Sequence, residues 1–175
     1  MKKVLVTGSL GYIGSVLVPY LSEHNFECVG YDSGFFKDCY LYSPETQKTI
    51  MKDARNLSKD DLKGVDAVVH LAAMSNDPLM SLPPEIFYDP VRRYRVDTRS
   101  YKVSFDKIGK VFSGFQCDWT VQKGIREMID CFQKIRFSEK QFSNMNFYRL
   151  QKMEYLLKNG YLTEELFWTN RQVRE

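Results

Sequence analysis

The chain has 175 residues, 43% hydrophobic and 14% aromatic, with 25 Lys plus Arg against 22 Asp plus Glu. This composition excludes intrinsic disorder, and the length suits one domain with a sizeable core. The longest apolar run, Ala67 to Met74, is far short of a membrane span of about 20 residues. The opening MKKVLVTGS moves from two lysines into a short strand-like run and then glycine, unlike a signal peptide, so a cytoplasmic protein is expected. Cys28, Cys39, Cys117 and Cys131 show no C-x-x-C spacing, and with two histidines in the chain no metal site is expected. Residues 1–90 carry 8 basic and 12 acidic side chains and residues 91–175 carry 17 and 10, so a charge boundary falls near residue 90. The basic charges are spread along helical patterns, which predicts solvated faces and no nucleic-acid partner.

In chain order, Lys3 to Thr7 reads as a buried parallel strand running into Gly8-Ser9-Leu10-Gly11-Tyr12-Ile13-Gly14. A helix is predicted from Tyr12 to Glu23, with Ile13, Val16, Leu17, Tyr20 and Leu21 on its apolar face and Pro19 loosening it. Glu27 to Tyr31 reads as a second strand, Ser58-x-x-Asp61 as the start of a short helix ending before Gly64, and Val65 to Ala72 as a third strand. Pro78, Pro83, Pro84 and Pro90 mark an irregular connection, after which Arg92 to Val96 and Tyr101 to Phe105 could be short strands. Helices are predicted over Asp106 to Phe112, over Thr120 to Ile135 with Thr120 as N-cap, from the capping box Ser138-x-x-Gln141, and over Asn146 to Asn159 with Gly160 ending it. A last turn is expected over Thr163 to Trp168. The fold class is therefore α/β, a truncated Rossmann-like parallel sheet of about three strong strands followed by a mainly helical C-terminal region. The predicted division is 1–90, 91–170 and a tail, 171–175.

The glycine pattern G-x-x-G-x-x-G (Gly8, Gly11, Gly14) stands between a predicted strand and a predicted helix, where a backbone must turn sharply and approach a diphosphate closely. Asp32 ends the second strand, near the spacing of about 20 residues expected of the carboxylate that binds the adenosine ribose. The next four residues, Ser33, Gly34, Phe35 and Phe36, include no Arg or Lys to hold a 2′-phosphate, which favours NAD over NADP.

The segments VLVTGSLGYI and GSVLVP resemble the start of extended short-chain dehydrogenase/reductases, the NAD-dependent epimerase/dehydratase family that acts mainly on nucleotide sugars. Asp53-Ala54-Arg55 is similar to that family's D-x-R, whose Asp meets the adenine amino group. His70-Leu71-Ala72-Ala73 is similar to its H-x-A-A beside the nicotinamide ribose, and Ser75-Asn76-Asp77-Pro78 to a subgroup pattern. His70 also reads as a core histidine at a strand end. The resemblance implies cofactor contacts at Gly8, Gly11, Tyr12, Ile13, Gly14, Asp32, Asp53, Ala54, Leu71, Ala72 and Ala73.

Residues 97 to 169 resemble the family's C-terminal end. Asp97-Thr98-Arg99-Ser100-Tyr101 looks like the segment whose Arg grips a nucleotide-sugar diphosphate, a role for Arg99 that competes with a surface or structural one. The family's middle region, with a Ser or Thr and a Tyr-x-x-x-Lys, has no counterpart, so catalytic residues are unknown. Tyr148-x-x-x-Lys152 has the spacing and the wrong position. The expectation is an NAD-binding or ADP-ribose-binding, internally shortened relative without independent catalysis. Two alternatives stand beside it: an active nucleotide-sugar epimerase/dehydratase completed by another protomer, and a regulatory module pairing with a full-length homologue. A first strand left at the sheet edge would predict a homodimer or higher oligomer.

Overall fold

A computed structural model describes residues 1–40, 48–73 and 102–170. Residues Met1–Arg93 with Asn144–Glu175 form one compact unit, and Tyr94–Ser143 form the other. In the first unit, strands β1 (Lys3–Thr7), β2 (Glu27–Asp32), β3 (Thr49–Met51) and β4 (Ala67–His70) make one parallel sheet in the order β3-β2-β1-β4. Val4 pairs with Cys28 on one side and Ala67 on the other, and Thr7 with Tyr31 and His70.

The first strand is therefore interior, contrary to the expected edge, because the run ending at His70 adds on its far side. Among the described residues the outer positions belong to β3 and β4. The expected third strand is shorter than 65–72, and β3 was not foreseen: three residues are too few to show a period.

Burial on both faces explains the uninterrupted apolar text of β1. Val4 and Val6 point to one side, where Val18, Leu21, Phe26 and Val69 meet them. Leu5 points to the other, with Val29, Tyr31, Ile50 and Leu57. Helix α1 (Gly14–Glu23) covers the first side. Its buried residues are Gly14 and Val18, with Leu17 and Leu21 half-buried, whereas Ile13, Val16 and Tyr20 are exposed. The helix carries apolar residues around most of its circumference, so periodicity did not select the sheet-facing stripe. It continues through Pro19.

Ser58 begins no helix. The Asp61 carboxylate accepts from the Ser58 N–H and hydroxyl at 2.8 and 2.7 Å, but the chain continues as turns through Gly64. The predicted helix over Asn146 to Asn159 is interrupted: a 3-10 turn at Met145–Phe147 gives way at Tyr148, and a new helix spans Arg149–Lys158. Asn144 caps the 3-10 turn by accepting from the Asn146 N–H at 2.9 Å.

The new helix ends as expected, with Gly160 at φ +68°. Tyr161 N–H donates to Leu156 O and Gly160 N–H to Leu157 O, the two bonds of a Schellman motif. Met153, Leu156, Leu162 and Leu166 then form a third cluster, packed against Phe35 and Phe36 from the loop after β2.

In the second unit, α2 (Asp106–Val111), α3 (Val121–Lys134) and α4 (Glu139–Phe142) agree with the sequence. Thr120 caps α3, and Ser138 and Gln141 complete the capping box of α4. We number the helix Arg149–Lys158 α5. Residues 102–105 are irregular, contrary to the expected strand ending at Phe105. The expected strand Arg92 to Val96, the proline-marked connection, Ser75 to Pro78, Arg99 and the 171–175 tail lie outside the described residues. No described helix is long and apolar enough to cross a membrane.

Candidate functional site

The site begins where β1 stops. Gly8 has φ +72°, a conformation that costs an L-residue roughly 1–2 kcal/mol. Its N–H donates to Tyr31 O at 2.8 Å, and a Cβ there would lie 2.8 Å from Ala72 N and Leu71 C. Gly11 N–H returns to Gly8 O at 3.0 Å. A Cβ on Gly14 would strike Gly8 O and come within 2.7 Å of Ser9 Cα, so these glycines let the loop fold onto the start of α1.

That helix start carries no side-chain cap and no acidic residue in its first turn. The amides of Tyr12, Ile13 and Gly14 donate to no described residue. Unpaired N–H groups and the positive end of the helix dipole make this a place for an anion.

Asp32, at the end of β2, faces the same loop. One carboxylate oxygen accepts from Leu10 N–H at 3.0 Å and the other from Gly34 N–H at 2.7 Å. The hydroxyl of Tyr40 donates to Leu10 O at 2.9 Å. Burial first, and then the Asp32 carboxylate, push this hydroxyl up to about 12, so it stays a neutral donor near pH 7. Burial likewise pushes the Cys39 thiol up, which keeps it protonated and unreactive.

Asp53 caps the 3-10 turn Ala54–Asn56 by accepting from Arg55 N–H at 2.8 Å. Arg55 also grips that carboxylate with Nε at 2.9 Å and Nη2 at 2.6 Å, and this pairing holds Asp53 below its ordinary range. The same guanidinium donates to Glu165 O at 2.8 Å and Leu166 O at 3.3 Å, and lies 3.7 Å from the centre of the Phe167 ring. Trp168 Nε1 donates to Ser33 O at 2.6 Å. The segment Leu162–Trp168 is thus a strap tied at two points to the first 55 residues.

These parts line an open cavity of about 570 Å³, within the range of roughly 300–1,000 Å³ for small-ligand sites. Gly8, Gly11, Tyr12, Ile13 and Gly14 line it from the loop, Asp32 from β2, Asp53 and Ala54 from the 3-10 turn, and Leu71, Ala72 and Ala73 from the segment after β4. All eleven positions singled out from the sequence line this one space. Phe35, Phe36, Arg55, Arg149, Glu165 and Leu166 line it too and were not foreseen. Their only sequence signal is the D-x-R at Arg55; the others arrive through long-range contacts that leave no local pattern.

His70 does not line the cavity. Its Nδ1 is 2.7 Å from Thr7 Oγ1, a bond between neighbouring strand ends. Tyr148 and Lys152 are also absent from the lining: Tyr148 is the N-cap of α5, and Lys152 is buried with Nζ 3.4 Å from Asn146 Oδ1 and 3.9 Å from Asp38. No cluster of three metal-ligating side chains occurs among the described residues.

A parallel sheet, a glycine turn at its carboxyl end, an open helix start and a carboxylate on the neighbouring strand together form a dinucleotide-type crevice. The model of the NAD dependent epimerase/dehydratase family matches residues 4–97, which take in the loop, Asp32, Asp53 and Leu71–Ala73 but not the strap or Arg149. That match spans more than half of the chain, and the chain belongs to this family, whose members use NAD(P).

Proposed function

We propose that this chain binds NAD, or an ADP-ribose-like ligand, through the adenosine diphosphate half and does not transfer hydride on its own. The carrying observation is the single cavity in which the uncapped start of α1 and the Asp32 carboxylate face one another. The diphosphate would lie on the amides of Tyr12, Ile13 and Gly14, the adenosine ribose at Asp32, and the adenine toward Asp53 and Ala54. Leu71, Ala72 and Ala73 would continue the wall toward the nicotinamide side. The residues present suit such a cofactor: the glycines bring backbone where a Cβ would block it, and the helix donors meet no acceptor among the described residues. When bound, NAD would supply a hydride acceptor, and the residues described here would hold its adenosine diphosphate half.

The reading without independent catalysis rests on the sequence, in which the family's Ser or Thr and Tyr-x-x-x-Lys region has no counterpart and Tyr148-x-x-x-Lys152 stands at the wrong position. Isothermal titration of the folded chain with NAD tests binding, and no heat or saturation would refute it. Chromatographic detection of product from a panel of UDP-, GDP- and dTDP-sugars tests catalysis, since epimerisation and dehydration return the hydride and leave no net change in NADH. Turnover would favour the second reading, an active nucleotide-sugar epimerase/dehydratase completed by another protomer. The first strand, expected as the pairing edge, is interior; among the described residues β4 is outermost on its side, and Val68, 46% exposed there, favours such self-association. Light scattering at micromolar concentration tests it, and a monomer would refute it.

A further inference from the structure

The cavity holds two arginines, and their situations differ. Arg55 is committed: both oxygens of Asp53, two strap carbonyls and the Phe167 ring surround its guanidinium. Arg149, at the start of α5, is half-buried, lines the cavity and pairs with no carboxylate among the described residues. Its guanidinium lies over the Phe36 ring, 4.7 Å from the centre. Stacking of this kind fixes the plane of the group and leaves its N–H edge available.

The place of Arg149 along the cavity follows from Phe36. The ring on which the guanidinium stacks belongs to the loop that leaves β2 directly after Asp32, and Gly34 N–H of that same loop donates to the Asp32 carboxylate. Arg149 therefore borders the part of the cavity lined by Asp32, Phe35 and Phe36. A half-buried guanidinium that meets no carboxylate among the described residues and borders this cavity is suited to an anion, and phosphate matches its fork of donors.

Asp32 alone would repel a phosphate on the ribose 2′ position. Both its oxygens, however, already accept backbone N–H groups, and Arg149 brings a compensating positive charge from more than a hundred residues away. We propose that Arg149 makes the ribose end of this cavity a receptor for a 2′-phosphate, so that the chain takes NADP as well as NAD. This rests on the dinucleotide reading above and extends it to cofactor choice.

The test titrates the full chain by calorimetry with two matched pairs: 5′-AMP against adenosine 2′,5′-bisphosphate, and NAD against NADP. Wild type should bind each 2′-phosphorylated member at least as tightly as its partner. Arg149→Met keeps the stacking volume and removes the charge. It should weaken the bisphosphate and NADP by about tenfold or more, the scale of one lost charge-assisted contact, and 5′-AMP and NAD by less than about threefold. Arg149→Lys should restore part of the loss, and circular dichroism should show both variants folded. Asp32→Asn should strengthen NADP relative to NAD.

If NAD binds and NADP does not, or if Arg149→Met weakens both members of each pair equally, the role of Arg149 is overturned while the dinucleotide site stands. If none of the four ligands binds folded wild-type protein, the dinucleotide site is overturned and the role of Arg149 with it. Should Arg149→Met fail to fold, Arg149→Gln decides: it also removes the charge, and discrimination within each pair unchanged from wild type overturns the proposal.

Discussion

Replacing Arg55 by alanine tests whether the strap is a true wall of the cavity. The side chain ties three things together: the Asp53 carboxylate, the Glu165 and Leu166 carbonyls and the Phe167 ring. It is 48% exposed, so its ion pair counts for little, about 0–1 kcal/mol in solvent. Two charge-assisted bonds to carbonyls and a cation–π contact, discounted for the same exposure, add roughly 1–2 kcal/mol. Arg55→Ala should therefore destabilise the chain by about 2 kcal/mol, read as a lower urea midpoint at unchanged slope. A loosened strap should also weaken 5′-AMP binding several-fold, since Leu166 lines the cavity. The pH dependence has a definite sign. Arg55 lowers Asp53 below its ordinary 3.8, so the pairing contributes fully above that value and is lost as pH falls through the lowered one. The variant should lack this acid-dependent portion. Stability within about 0.5 kcal/mol of wild type, together with unchanged AMP binding, would refute the strap as a held wall.

Three further substitutions probe other parts. Gly14→Ala places a methyl against backbone of Gly8 and Ser9, which cannot swing aside, so a loss of roughly 1–3 kcal/mol and of NAD binding is expected in thermal melts and calorimetry; a variant that binds NAD normally would show that the loop does not meet α1 this closely. Leu156→Ala empties a fully buried position between Met153, Leu162 and Leu166 and should cost about 2–5 kcal/mol in chemical denaturation, whereas a cost below about 1 kcal/mol would mean that α5 is not packed there. Asp61 accepts from Lys52 Nζ at 2.8 Å and from Ser58, and these bonds, Lys52 first, lower it to about 2 from 3.8. Its contribution is present above pH 3.8 and disappears as pH falls toward 2, so Asp61→Asn should flatten the acid limb of a stability–pH profile; an unchanged limb would count against the pairing.

What the sequence made legible was local chemistry. Gly8, Gly11 and Gly14 specify their own loop, because each is a place where a Cβ would meet neighbouring backbone only a few residues away or the end of the adjacent strand. Asp32 follows from the length of one strand–helix–strand unit, which fixes how far along the chain the second strand must end. The helix caps at Thr120 and Ser138 are equally local, with donor and acceptor three residues apart. Where several local patterns fitted, sequence failed. The apolar residues of α1 allowed more than one sheet-facing stripe; Gly14 faces inward because a Cβ there would strike Gly8 O, and Val18, one turn later, is buried on the same side.

The strap and Arg149 were beyond reach for a different reason. Arg55 meets Glu165 across 110 residues and Trp168 meets Ser33 across 135, and nothing in the spacing of these residues declares the pairing. Such contacts form only when the loop after β2 offers Phe35 and Phe36 as a floor for Leu156, Leu162 and Leu166. A rule that infers cofactor choice from the residues next to Asp32 assumes that the ribose end of the site is built by sequence neighbours. With Arg149 in the role proposed above, one side of that end would come from α5 and the local rule for excluding a 2′-phosphate would lose its premise: positions 33–36 hold no cation, while Arg149 lines the same cavity as Asp32.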